Sequence, residues 1–315
     1  MVEVEVSKLV GKLVSREYEG KLMRLLEQLP PSRRRLLEKL RPAELRAILD
    51  YLDAPPTIAY LRLLGRVYVS RQEERMAEES RLRMLMCMPH ASQDILDFFE
   101  RQVKALKSLE KAIVDEAISI LDGSPLLEWC RRVKGLGDVA ALIYASYINP
   151  LKADTAGKAR KYVGLTPGQE LRSGVKGNFN TIAKGRCMFL AMAVIMARDD
   201  YYYPLYKAKK SHYMFYSPYS AIFNEKGEVV NPSACPRYGE CKAKAKHPCK
   251  MHIDMMARRW LASLLVSHAT ELYREWLGLD TSNFKKHRNY IPPKPANPNQ
   301  EHLQTLCRRI EKCGE

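Results

Sequence analysis

The sequence predicts a mainly α protein: a helical N-terminal region, a long coiled-coil-like helical hairpin, and a helix-hairpin-helix domain carrying a small β/zinc insertion. Three observations carry that expectation. Apolar residues recur at helical spacing over most of the chain. Prolines and glycines punctuate those runs, at 55–56 and 122–125 for example. Only one internal stretch, residues 221–230, offers a pair of strand candidates around a turn.

Residues 1–56 read as short helices over 20–29, 32–40 and 43–52, the last stopped by Pro55 and Pro56. Arg33, Arg34 and Arg35 lie in the second, which suits either a small helix-turn-helix unit or a packing cap. Residues 57–123 form the expected hairpin. Its first helix places Leu61, Leu64 and Val67 on one side and then becomes densely charged from 71 to 83. Its second runs from about 92 to 121, with Phe99, Leu106, Ile113 and Ile120 seven apart and Ile95, Val103 and Leu109 on the same face. Such a pair serves as an antiparallel hairpin or a dimer stalk. Ser124 is placed as the N-cap of the next helix, with Pro125 at its first position.

Residues 124–210 make the next domain. Helices over 126–133 and 139–148 flank Val133-Lys134-Gly135-Leu136-Gly137-Asp138. Gly135 and Gly137 supply positive φ at least cost, and their small size lets turn and helix-terminal amides approach a phosphate. A basic helix over 155–163 carries Lys158, Arg160 and Lys161, and an apolar core helix runs over 181–198. Residues 211–252 break the helical rhythm. There 221–223 and 228–230 are the strand candidates, and Tyr201, Tyr202, Tyr203, Tyr206, Tyr213, Tyr216 and Tyr219 interleave with lysines. This pattern suits either stacking of unpaired bases or packing of an insertion poor in aliphatic side chains. A helix returns over 253–277 within residues 253–291, and 292–315 is a proline-rich extended tail ending in a helix over 301–312.

The 315-residue chain, 46% hydrophobic and 28% charged, has the composition of a soluble globular protein. It has no apolar run long enough to span a membrane. The acidic, alternating N-terminus is unlike a secretory signal, so a cytoplasmic location is expected, nucleoid-associated in a prokaryote. Net charge is +16, and between Arg131 and Lys210 basic residues outnumber acidic ones roughly three to one, as in nucleic-acid binders. Eight cysteines in such a chain do not suggest a disulfide framework. Cys130 and Cys187 sit in apolar helical surroundings as small core residues. Cys235, Cys241, Cys249 and His252 have spacing compatible with a tetrahedral structural zinc site, with His247 as a competing fourth ligand.

Gly164-Leu165-Thr166-Pro167, then Arg172-Ser173-Gly174 and Lys176, follow the glycine hairpin in order. With residues 181–198, Tyr203 to Lys207 and Ala257 to Arg259, this series resembles the C-terminal domain of the bridge-RNA-guided insertion-sequence transposases, which normally also carry a RuvC-like domain. The resemblance covers most of residues 95–279. It implies a DNA-binding role, and it implies that Ser173 is the nucleophile toward a DNA phosphate. Residues 1–90 show no strand run ending in Asp of the kind a RuvC-like domain needs to hold metal ions. The expectation is therefore a DNA-binding homodimer gripping duplex or branched DNA through Lys134, Gly135, Leu136, Gly137, Lys158, Arg160, Lys161, Arg172, Lys176, Lys184 and Arg186. The alternatives are a recombinase using Ser173 with magnesium held by carboxylates from elsewhere, and a structural RNA-binding protein.

Overall fold

The computed structural model describes residues 20, 22–23, 55–166, 179–235, 238–240, 249–287 and 289–313. The chain divides into two units, residues 1–63 and 64–315. The expected helices over 32–40 and 43–52, with Arg33 to Arg35, lie outside the described residues. Of the first unit the structure describes Gly20, Leu22, Met23 and 55–63, and there Leu22, Ile58 and Leu61 are buried.

The described residues are mainly helical and include no strand. Helix α1 (Pro56–Met86) starts in the first unit and continues into the second, where α2 (Gln93–Leu121) follows. After it come α3 (Pro125–Arg132), α4 (Asp138–Tyr147), α5 (Ala156–Tyr162), α6 (Thr181–Met196) and α7 (Tyr202–Phe215). Helices α8 (Cys249–Trp276), α9 (Ser282–Lys285) and α10 (Gln300–Cys313) complete the order. No helix among the described residues is long and apolar enough to cross a membrane.

The second unit is built around α8, which packs against α3, α4, α5, α6 and α7. From Leu261 to Arg274 every residue but the half-buried Leu264 is buried, as in a helix enclosed by others, and its Leu, Ala and Val residues fill the centre. Cys130 and Cys187 belong to the core as expected, and burial pushes both thiols upward, Cys187 to about 12. Ser124 caps α3 by accepting from the Leu127 amide at 3.2 Å, with Pro125 at the first helical position. Gly65 lets α1 cross α4 closely, since a Cβ there would overlap the Ser146 side chain.

The α1–α2 pair forms differently from the heptad expectation. On α2 the buried residues are Val103, Glu110, Ile113, Ala117 and Leu121, while Phe99, Leu106 and Ile120 are only half-buried. Ion pairs link the two helices: Arg75 to Glu110 at 2.6 Å and Lys107 to Glu79 at 3.0 Å. The Glu110 carboxylate holds the Arg75 guanidinium above its usual range. Toward the connecting turn Met84, Met86, Met88, Ile95 and Phe98 are exposed.

Two further expectations are corrected. The β-hairpin over 221–230 reduces to one antiparallel bridge, Phe223 to Val229, between 3₁₀ turns. Backbone bonds from Val230 and Asn231 both converge on the Ile222 carbonyl, which closes a loop rather than a ladder. The proline-rich tail is extended but is not a free linker. Ile291 and Lys294 are buried, and α10 packs on α7.

Candidate nucleic-acid interface

The glycine turn between α3 and α4 has the form the sequence suggests, and each glycine has its own reason. Gly135 has φ +93°, and a Cβ there would overlap the Ala193 carbonyl at the end of α6. Gly137 has φ +120° and ψ −162°, a region essentially closed to other residues, with open space where a Cβ would stand. The Leu136 amide donates to the Val133 carbonyl at 3.1 Å, closing the turn. Ala141 is the first residue of α4 to donate back, to Gly137, so the amides of 138–140 precede the helical ladder.

One carboxylate pins this turn to the rest of the domain. Asp199, fully buried, accepts from the Tyr201 and Tyr202 amides at 3.0 and 2.9 Å and so caps α7. Its second oxygen accepts from the Lys134 amide at 2.9 Å and from Lys294 Nζ at 2.8 Å. Lys294 also donates to Asp200. Burial pulls the Lys294 ammonium down, but Asp199 and Asp200 outweigh it and hold the group above the ordinary lysine range. A buried polar network continues behind it. Trp129 Nε1–H and the Lys294 amide both donate to the Tyr202 hydroxyl, at 3.0 and 3.2 Å. That hydroxyl lies 2.8 Å from His268 Nδ1, and His268 Nε2 lies 2.7 Å from the Ile291 carbonyl. Only a neutral imidazole carrying its proton on Nε2 satisfies both ends, and burial lowers His268 to about 4.

The cations expected to meet phosphate are distributed unevenly. Around the turn, Arg131 pairs with Asp138 at 2.8 Å, Arg132 with Glu128 at 3.8 Å and Lys134 with Asp200 at 3.7 Å. On α5, Lys158 pairs with Asp154 at 2.7 Å, Lys161 points outward, and Arg160 is half-buried. Exposed pairs of this kind contribute about 0–1 kcal/mol each, so a phosphate can exchange with the carboxylate at little cost. Lys184 lies 4.7 Å from the centre of the Phe179 ring. Arg186 is turned toward α1, donating to Gln72 and lying 3.9 Å from Glu73. It thereby braces the helical frame. Arg172, Ser173 and Lys176 lie outside the described residues.

The expected tyrosine platform divides in two. Tyr201, Tyr202 and Tyr206 are core residues, Tyr206 donating to Asp254, whereas Tyr216 is exposed. The insertion forms a small core of its own from Ile222, Phe223 and Ile253, and both Cys235 and Cys249 pack against it. His252 lies one turn into α8, its ring 5.7 Å from that of Tyr219. Cys241 and His247 lie outside the described residues, and among the described ones no group of three or more His, Cys, Asp or Glu is placed to hold a metal.

Sequence reasoning missed a concave region between α5, α8 and α9. Two cavities, of about 190 and 670 Å³, share Ala156, Arg160, Trp260, Ser263, Phe284 and His287 as a common wall. Compared with known proteins, the chain matches no family model, no curated protein and no solved structure.

Proposed function

We propose that this chain is a nucleic-acid-binding protein that grips duplex or branched DNA through its phosphates, as a homodimer. The observation that carries the reading is the α3–α4 turn. Both its glycines hold positive φ, and a buried carboxylate fixes it so that the leading amides of α4 lie ahead of the helical ladder. Lys134 in the turn, and Lys158, Arg160 and Lys161 on α5, supply cations for phosphate, and the net charge of +16 supplies long-range attraction. Such contacts give affinity and orientation rather than base specificity. The exposed apolar side chains at the α1–α2 turn, Ile95 and Phe98 among them, are the surface through which two copies meet.

The test is a salt titration of duplex binding. Affinity is expected to fall linearly with salt on logarithmic axes, and Lys158→Glu with Lys161→Glu is expected to flatten the slope by about two phosphates' worth. Affinity that ignores salt, or that survives the double reversal, sinks the proposal. Digesting co-purified nucleic acid with DNase or RNase decides between DNA and RNA.

Within the insertion we propose structural zinc held by Cys235, Cys241, Cys249 and His252, on the strength of their spacing in the sequence, with Cys235 and Cys249 both packing on the insertion's small core. A closed site of this kind stabilises the insertion and performs no hydrolysis. Purified protein lacking stoichiometric zinc rules it out.

A further inference from the structure

The paired cavities have a lining that combines three chemistries. The first is cationic. Arg160, Arg259 and Lys286 line the larger cavity, and Arg160, Lys209 and Arg309 the smaller one, against a single carboxylate among the described residues, Glu271. The second is aromatic, with Trp260 and Phe284 in the shared wall and Tyr213 in the larger cavity. The third is hydrogen bonding. The Thr166 hydroxyl is buried at the larger cavity without a partner among the described residues. In the smaller cavity the Glu271 carboxylate, which accepts from the Tyr290 hydroxyl at 2.9 Å, has further lone pairs to offer.

The hollow originates in the sequence of α8. Trp260, Ser263, Ser267 and Glu271 follow one another at three- and four-residue steps, so they share one face of the helix. Ser263 and Ser267 stand where a core helix usually carries bulky aliphatics. Their hydroxyls bond back to the Arg259 and Ser263 carbonyls at 2.9 and 2.7 Å, which satisfies them without a ligand and leaves the volume open. On one side, Lys209 Nζ lies 5.9 Å from the Trp260 ring centre. The larger cavity falls within the ~300–1,000 Å³ typical of small-molecule sites.

We propose that this region is a pocket for one unstacked nucleotide. Its base lies against Trp260 and toward Glu271, and its phosphate lies on Arg160, Arg259 and Lys286. A planar ring bearing an anion uses all three chemistries at once, whereas an acidic peptide leaves the indole unused. A carboxylate in the smaller cavity accepts from an exocyclic amine, which favours adenine, cytosine or guanine over thymine or uracil. The nucleotide is either a residue displaced from a bound strand or a free mononucleotide. The first source rests on the nucleic-acid reading above, and the second does not.

Two titrations separate them. In the first, AMP is added and tryptophan fluorescence followed in the full-length protein and in Trp260→Leu. In the second, binding is compared for duplexes that are fully paired, carry one bulged adenosine, or carry one bulged abasic site. The variant for both is Arg259→Gln with Lys286→Gln, whose exposed side chains are not needed for folding. A displaced-base pocket predicts that bulged adenosine binds roughly tenfold tighter than the abasic bulge, within what one aromatic stack contributes. The double variant is expected to remove that preference while duplex affinity changes far less. If no duplex binds but AMP quenches the wild type and not the variants, the pocket stands with a free nucleotide as ligand and the nucleic-acid reading fails. If AMP leaves the fluorescence unchanged and the two bulges bind alike, the pocket is overturned, whatever duplex binding shows.

Discussion

At the scale of single residues, the two glycines of the α3–α4 turn separate backbone strain from packing. Gly137→Ala meets only the cost of holding an L residue in a glycine region, about 1–3 kcal/mol. Gly135→Ala meets comparable strain and a collision with the Ala193 backbone, which no rotamer relieves. Urea unfolding is expected to rank Gly135→Ala as the more damaging, and the reverse order would mean that the turn does not press on α6. His268 gives a second residue-scale prediction. Its pKa is about 4 in the folded protein against an ordinary value of 6.5, so the unfolded chain takes up its proton first as pH falls. The stability it contributes is complete above pH 6.5 and is lost between 6.5 and 4, on the order of 3 kcal/mol in all. His268→Gln is expected to flatten the part of this loss that lies above pH 5, where most carboxylates remain ionised. An unchanged acid limb would reassign it to other groups.

At the scale of elements, local signals read true and non-local ones did not. The Ser124 cap, the Pro125 start and the paired glycines are set by chemistry within four residues, so the chain declares them. The α2 seam agrees only in part, with Val103 and Ile113 buried as expected, because apolar spacing marks several neighbouring faces and cannot say which one a partner helix covers. Here Glu110, recruited by Arg75, sits in the buried stripe while Phe99 and Leu106 stand at its edge. The docked tail departs from the sequence expectation for a related reason. Proline content sets an extended backbone but says nothing of whether it docks, and the docking depends on Lys294 finding Asp199 from ninety-five positions away. Removing one partner of a buried pair costs about 3–5 kcal/mol. Lys294→Ala is therefore expected to lower global stability by that order and to strip hydrogen-exchange protection from α10. A tail that stays protected in this variant would show that apolar contacts at Ile291, Leu303 and Ile310 hold it unaided.

At the scale of the whole molecule, the helical character and helices α3 to α6 and α8 were legible, and so was the placing of Cys130 and Cys187 in the core, whereas α7 runs through residues 211–215, where the sequence suggests that helix gives way. The concave region between α5, α8 and α9 was not legible, because its lining comes from distant parts of the chain, and Arg160, Tyr213 and Arg259 stand out in the sequence for other reasons. The serines at 263 and 267 were its one sequence signal, since both interrupt an apolar helix at core positions. The homodimer is a prediction at this scale. Phe98→Glu with Ile95→Glu is expected to convert it to monomer by light scattering without loss of helicity, since both side chains are exposed in the single chain. A wild type that is monomeric at every concentration would refute it.

The placement of Asp199 has a consequence for synthesis. As the chain leaves the ribosome, this carboxylate emerges well before the lysine that neutralises it. Until Lys294 follows, the α3–α4 turn and the start of α7 share an acid that cannot be buried as an anion alone. The domain is therefore expected to complete only after translation of its tail. Nascent chains arrested before residue 294 should remain protease-sensitive across the turn, and those released beyond it should become resistant in one step.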